Sequence, residues 1–182
     1  MKSVLISIKP KWVEKIANKE KTIEVRKTRP KIKTPFKCYI YCTIGNGIKG
    51  DYLIPSNLQC GKVIGEFVCD KIEEFHEYEL SPCKKFYEFE KARLDLFLKE
   101  SCLSYNEVCD YRKNLPYYKS LYGWHISDLK IYDKPKPIMQ FYKPCPIEWK
   151  NCPGCEFYST NTGCCMNNVD RPPQSWCYVE EV

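Results

Sequence analysis

The stretch Lys19-Glu20-Lys21-Thr22-Ile23-Glu24-Val25-Arg26 decides how this chain is read. In an extended segment Ile23 and Val25 share one face, so Thr22, Glu24 and Arg26 project from the other, successive members about 6.8 Å apart. Lys21 enters from the start of the strand. A carboxylate between two cations can orient both toward an anionic or hydrogen-bonding ligand, an arrangement that strand packing alone does not require. The same alternation is also what a half-solvated strand shows.

Upstream, residues 3 to 9 read as a strand in which Val4, Ile6 and Ile8 alternate with Ser3, Leu5 and Ser7. Pro10 suits the first position of a helix, and Trp12, Val13, Ile16 and Ala17 mark its apolar stripe. The helix is expected to end near Asn18. Downstream, residues 21 to 28 form the second strand and residues 36 to 43 a third, rich in aromatic and branched side chains. Gly45, Gly47, Gly50 and Pro55 mark a loop, and residues 62 to 75 read as one long strand with Gly65 at a bulge or close approach. A helical insert is expected over about 81–115, where Ser104 followed by Glu107 is a capping-box signature. Strand character returns around Gly123-Trp124-His125-Ile126. Residues 138 to 142 form a short strand, and residues 175 to 180 a closing one. With no regular βαβ repeat, this order excludes a Rossmann-type sheet and predicts an α+β fold, a small mixed barrel with helices set into it. No glycine-rich phosphate loop, Ser/His/Asp arrangement or internal repeat is present.

Composition sets the frame. The 182 residues suffice for one domain with a good core, and the 14 tyrosines can pack their rings while keeping their hydroxyls hydrogen-bonded. The net charge of +6 is concentrated near the N-terminus, which suits an anionic partner such as RNA, DNA or a phosphorylated small molecule, although scattered lysines also serve simply to solubilise a surface. The first apolar run is too short for a signal peptide or membrane span, and no longer one follows; the expectation is a cytoplasmic protein that does not engage a membrane. Thirteen cysteines, an odd count without an export signal, then point to reduced thiols and a metal site rather than a disulfide framework.

A first strand ending in SIKP, a helix, then KEKTIEVRK, a strand CYIYCT and later GKVIGEF resemble the ASCH domains of the PUA-like β-barrel superfamily. The family motif Gly-x-Lys-x-x-Glu-x-Arg falls on Lys19, Lys21, Glu24 and Arg26. Three of the four specified positions match, with Lys19 in place of the glycine. The resemblance covers about residues 1 to 75 and 117 to 142. It implies a PUA-like mixed β-barrel with flanking helices and a cleft beside it for single-stranded RNA or a nucleotide-like small molecule. In a binder, Arg26 would fork onto a phosphate or base edge, Lys21 would supply a point charge and Glu24 would orient both.

Some relatives hydrolyse acylated cytidine nucleosides with a lysine, a threonine and a glutamate. Lys21 matches that lysine, whereas Glu24 stands where they place the threonine, and a carboxylate cannot replace a hydroxyl nucleophile without changing the chemistry. Another branch is implicated in metal-dependent RNA cleavage, for which Lys21 and Arg26 would stabilise charge and Glu24 would act as base or metal ligand. The alternative to binding is therefore a metal-dependent ribonuclease or a modified-nucleoside hydrolase using Lys21, Glu24 and Arg26.

Trp124 and His125 are candidate cleft residues beside Lys21, Thr22, Glu24 and Arg26, Trp124 for base stacking and His125 as a donor; core packing and a strand-edge histidine are the alternatives. Trp12 reads as core. His76, in an acidic stretch, reads as a solvated edge. A second signal is the Cys-rich segment of about 144–172. Cys152-Pro153-Gly154-Cys155 forms a knuckle whose two sulfurs can converge on one ion, and Cys145 with Cys164 or Cys165 would complete a tetrahedral, four-thiolate structural zinc site. With few aliphatic residues, that segment needs a metal to order it. Cys177 reads as a small hydrophobe in a strand. The expectation is thus a single domain over 1–182 with a helical insert and a C-terminal zinc loop.

Overall fold

The computed structural model describes residues 2–44, 59–76, 88–144 and 168–180. Among them are eight strands and three helices. In order they are β1 (Lys2–Ile8), α1 (Pro10–Ala17), β2 (Ile23–Arg26), β3 (Phe36–Cys42), β4 (Val63–Cys69), β5 (Ile72–Phe75), α2 (Glu88–Ser101), α3 (Tyr105–Arg112), β6 (Leu121–His125), β7 (Ser127–Lys136) and β8 (Trp176–Glu180). Where a single mixed barrel was expected, the described strands run in two ladders, a five-stranded sheet in the order β7-β4-β3-β1-β8 and a three-stranded sheet in the order β2-β6-β5. The long strand expected over residues 62 to 75 is broken after Cys69, and its two halves, β4 and β5, join different sheets. The strand expected at 138 to 142 is a 3-10 turn, Ile138–Gln140, followed by isolated bridges at Tyr142.

The chain divides into two compact units, one of residues 1–10, 38–66 and 132–182, the other of residues 11–37 and 67–131. In the first, β1 pairs parallel with β3, Val4 opposite Cys38 through Ile8 opposite Cys42, and antiparallel with β8, Lys2 opposite Glu180 through Ile6 opposite Trp176. As an interior strand, β1 is buried from Ser3 onward on both faces, so the serines expected on a polar face lie inside. Leu5, Tyr39, Tyr41, Val63, Phe141, Val169 and Val179 form its core, with Cys177 packed against them as expected of a small hydrophobe. The described cysteines are free thiols. Cys145, Cys152, Cys155, Cys164 and Cys165, the expected zinc ligands, lie outside the described residues, as do Gly45, Gly47, Gly50 and Pro55, where a loop was expected.

In the second unit β2 and β5 flank β6, both antiparallel. Ile23 and Val25 on β2, Phe75 on β5 and Leu121 on β6 join Phe97 of α2 and Val108 of α3 in one apolar cluster. Gly123 permits that closeness. A Cβ there would sit 3.0 Å from Ile23 Cγ2 and 3.3 Å from Phe97 Cε2, so a larger residue would need both side chains to give way by a few tenths of an ångström. The capping box read from sequence is present. The Ser104 hydroxyl accepts from the Glu107 backbone N–H at 3.3 Å, and the Glu107 carboxylate accepts from the Ser104 N–H at 2.9 Å.

Helix α1 ends in a Schellman motif. The N–H of Glu20 donates to the Lys15 carbonyl and that of Lys19 to the Ile16 carbonyl, both at 2.9 Å. Lys19 carries the left-handed backbone this closure needs, with φ +61°. The lysine at the family's glycine position thus adopts the turn that glycine adopts more readily. The turn leads directly into Lys21 and β2.

Candidate functional site

Register decides which side chains converge. Glu24 lies opposite Trp124, and Arg26 opposite Tyr122, so these four share one face of the three-stranded sheet. Ile23 lies opposite His125 on the other face.

The motif residues form one buried ion-paired cluster. Lys21 Nζ donates to the Ser101 carbonyl at the end of α2 at 2.6 Å and lies 3.4 Å from Glu24 Oε2. Arg26 Nη2 lies 3.0 Å from Glu24 Oε1. The side chains are 2% exposed for Lys21, 8% for Glu24 and 10% for Arg26. Removing such groups from water costs several kcal/mol each, about as much as good pairing returns, so the cluster is poor value as a stabilising device. Burial pulls the Lys21 pKa below its ordinary 10.5, and the adjacent Glu24 opposes the shift without cancelling it. Both Glu24 oxygens have a cationic neighbour, and the cluster sums to one excess positive charge when Lys21 is protonated.

Two further residues complete the surroundings, and sequence reading gave neither a part in the site. Tyr111 of α3 places its hydroxyl against the Arg26 side chain and the Lys27 backbone; burial pushes its pKa up, Arg26 opposing and Glu24 assisting. The residue as a whole is 37% exposed, so its ring reaches solvent while its hydroxyl end is tucked in. Trp12, read as core, is half-buried, with Lys21 Nζ 5.2 Å and Lys11 Nζ 4.4 Å from its ring centroid. Tyr111 stands one helical turn after the capping Glu107, hence on the same face, and Glu107 Oε1 lies 3.2 Å from Lys11 Nζ, a nonlocal pairing that the sequence does not show.

Around this buried centre lie cations set over aromatic rings. Lys27 Nζ is 4.8 Å from the Tyr111 centroid, and the Arg29 guanidinium is 5.7 Å from that of Tyr122. Lys11 and Arg29 are exposed, and so is Thr22 at the head of β2.

The other expected cleft residues separate. Trp124 is on the Glu24 face but fully buried, edge-on to Phe36 at 5.9 Å, leaving no open face for a base. Its place on the central strand of the small sheet accounts for the burial. His125 points to the opposite face and reaches Glu73 Oε1 at 3.1 Å through Nε2. Burial raises the Glu73 pKa, but Lys71 and His125 outweigh it and hold the carboxyl below its ordinary range. His76 is exposed, as expected, with Nδ1 2.9 Å from the Ser120 hydroxyl. Among the described residues no group of three or more His, Cys, Asp or Glu side chains is arranged to hold a metal ion. Nor is any described helix long and apolar enough to cross a membrane.

An α+β chain of two sheets, with its Lys-x-x-Glu-x-Arg strand at the edge of the smaller one, has the fold of the ASCH domains. It is similar to the crystal structure of ASCH from Zymomonas mobilis, with a TM-score of 0.52 and 16% sequence identity over 98% of this chain and 88% of that one. Two variants of that protein, one with tyrosine changed to phenylalanine and one with serine changed to alanine, match with the same TM-score and identity over 91% and 89% of their chains. No family model matches the sequence, and no curated protein does.

Proposed function

We propose that this chain binds single-stranded RNA or a nucleotide-like ligand over the Lys21–Glu24–Arg26 cluster. One observation carries the reading: a buried carboxylate lies between two buried cations, an excess of positive charge held in fixed geometry without benefit to stability. The ASCH fold supports it, as do the exposed Lys11 and Arg29 and the neighbouring Lys27, each over an aromatic ring. Arg26, the most exposed of the three, meets a phosphate or base edge, and Thr22 offers an exposed hydroxyl at the other end of the same strand face. Lys21 and Glu24 set the charge and orientation from beneath.

The test uses the surface cations, whose replacement leaves the buried ion pairs intact. Fluorescence anisotropy with labelled single-stranded RNA is expected to show weaker binding by the Lys27→Gln, Arg29→Gln double variant and a shallower dependence on salt. A wild-type protein that binds neither RNA nor nucleotides would overturn the reading.

A second reading, hydrolysis of RNA or of a modified nucleoside, is favoured by the lowered Lys21 pKa. An amine nearer its neutral form is a better proton acceptor. Glu24 is less suited to be a metal ligand here, because it would have to give up a cationic neighbour. Incubation of RNA with and without Mn²⁺ on denaturing gels distinguishes the readings: shortening by wild type and not by Lys21→Met makes the protein a hydrolase.

Structural zinc on four of Cys145, Cys152, Cys155, Cys164 and Cys165 is a separate proposal resting on the Cys-Pro-Gly-Cys spacing. Elemental analysis is expected to find about one zinc per chain; less than about a tenth would overturn it.

A further inference from the structure

Between α3 and β6 the chain runs Lys113-Asn114-Leu115-Pro116-Tyr117-Tyr118-Lys119, and the two tyrosines stand out in solvent, 80% and 69% exposed. Their rings meet edge to face, with centroids 5.7 Å apart and an interplanar angle of 86°. The loop beneath them is fastened. Arg112, the last residue of α3 and 9% exposed, donates from Nη2 to the carbonyl oxygens of Tyr117 at 3.1 Å and Lys119 at 2.9 Å, with a longer contact to that of Pro116 at 3.5 Å. The Lys119 N–H closes a turn onto the Pro116 carbonyl at 2.9 Å. Leu115 packs against the apolar cluster at one end, and Leu121 lies within it at the other.

An exposed loop needs no guanidinium to satisfy its carbonyls, since water can do so. Here a buried cation fixes the backbone of a turn whose two largest side chains gain little from folding. We infer that the Tyr117–Tyr118 loop is a preformed stacking platform for bases of single-stranded RNA, with Lys113 and Lys119 on the neighbouring phosphates. The charge fits this partner: from 113 to 119 the loop carries two exposed lysines and no acid. Aromatic faces on a basic support take any base, because every base has a π-face. The platform also adjoins the proposed site through one helix end. Tyr111 touches Arg26, and the next residue, Arg112, holds the loop. RNA that reaches the cluster can therefore extend along α3 onto the tyrosines. This inference rests on the RNA reading above.

The test is anisotropy with two probes, a labelled single-stranded RNA of about twelve nucleotides and a ribose-phosphate strand of equal length without bases. Tyr117→Ala with Tyr118→Ala is expected to weaken RNA binding about tenfold and leave the abasic strand unaffected, while the two Phe replacements keep wild-type affinity. Lys113→Gln with Lys119→Gln is expected to weaken both probes and reduce the salt dependence. All these positions are exposed, so thermal unfolding of the variants should match wild type. If the alanine variant binds RNA like wild type, the platform is overturned and the RNA reading stands. Equal losses on both probes would also overturn it, because base stacking would not be the cause. If wild type binds no RNA, the platform is overturned, and the reading of the cluster falls with it only if nucleotides do not bind either.

Discussion

The two strands that flank α1 in the sequence are both buried, but β1 hides aliphatic side chains on both faces and β2 hides them on one face and charges on the other. Within the first unit β1 hides Val4, Leu5, Ile6 and Ile8, and within the second β2 hides Glu24 and Arg26, with Lys21 just ahead of them. An interior strand such as β1 is stabilised by the apolar surface it removes from water, roughly 1.5 to 3 kcal/mol per large side chain. Ile23 and Val25 give β2 the same kind of gain on one face, but its charged face adds nothing comparable, because desolvation consumes what pairing returns. The contrast separates a strand explained by the fold from one whose charges the fold does not explain.

The largest expected effect breaks β2 at its centre. Glu24→Ala leaves Lys21 and Arg26 buried beside each other without their shared carboxylate, which should cost about 3 to 5 kcal/mol in urea denaturation. Leu5→Ala in β1 should cost a similar amount, about 2 to 5 kcal/mol, through an unfilled cavity. Equal numbers would then have different causes. Replacing all three charges in β2 with Lys21→Met, Glu24→Leu and Arg26→Met separates them. The triple variant is expected to be as stable as wild type or more so, by up to about 4 kcal/mol, while RNA binding is lost. A triple variant less stable than Glu24→Ala would show that β2 is as structural as β1.

How much of this was legible in the sequence follows the same division. Helix α1, strands β1, β2, β3 and β8, and the Ser104–Glu107 cap could be read because local pattern and tertiary role agree there. The break after Cys69 could not, because it is defined by which strands the two halves pair with, and those pairings are nonlocal. Face alternation placed Glu24 and Arg26 together. It could not tell that Trp124 faces them and is sealed, or that His125 turns away, because the Glu24–Trp124 register is a nonlocal pairing. Tyr111 and Arg112 were hidden for a related reason: their roles arise where a helix end meets a distant strand and a loop.

A smaller effect is expected at the turn between α1 and β2. Lys19 holds φ +61°, which costs a side-chain-bearing residue about 1 kcal/mol relative to glycine. Lys19→Gly should therefore raise stability by about that amount in thermal or urea unfolding, with no change in β2 and little in RNA affinity. A loss of stability would mean that the lysine side chain contributes more than its backbone costs.

The smallest effect is the response of β2 to pH, and it tests whether its charge is strained. Burial lowers the Lys21 pKa below 10.5 in the folded protein, whereas the unfolded chain titrates at the ordinary value. Between those two values the unfolded state holds more protons, so the contribution of Lys21 to stability grows as pH rises through the folded pKa toward 10.5. It is lost again as pH falls through the folded pKa, where the buried ammonium carries its full desolvation cost. The stability of wild type relative to Lys21→Met is thus expected to increase between neutral pH and about pH 10 in parallel urea titrations. The corresponding difference for Leu5→Ala should stay flat, since leucine has no proton to exchange. A flat line for both would show that Glu24 fully compensates the burial of Lys21, and the strand would then hold its charges without strain and without a proton-accepting amine.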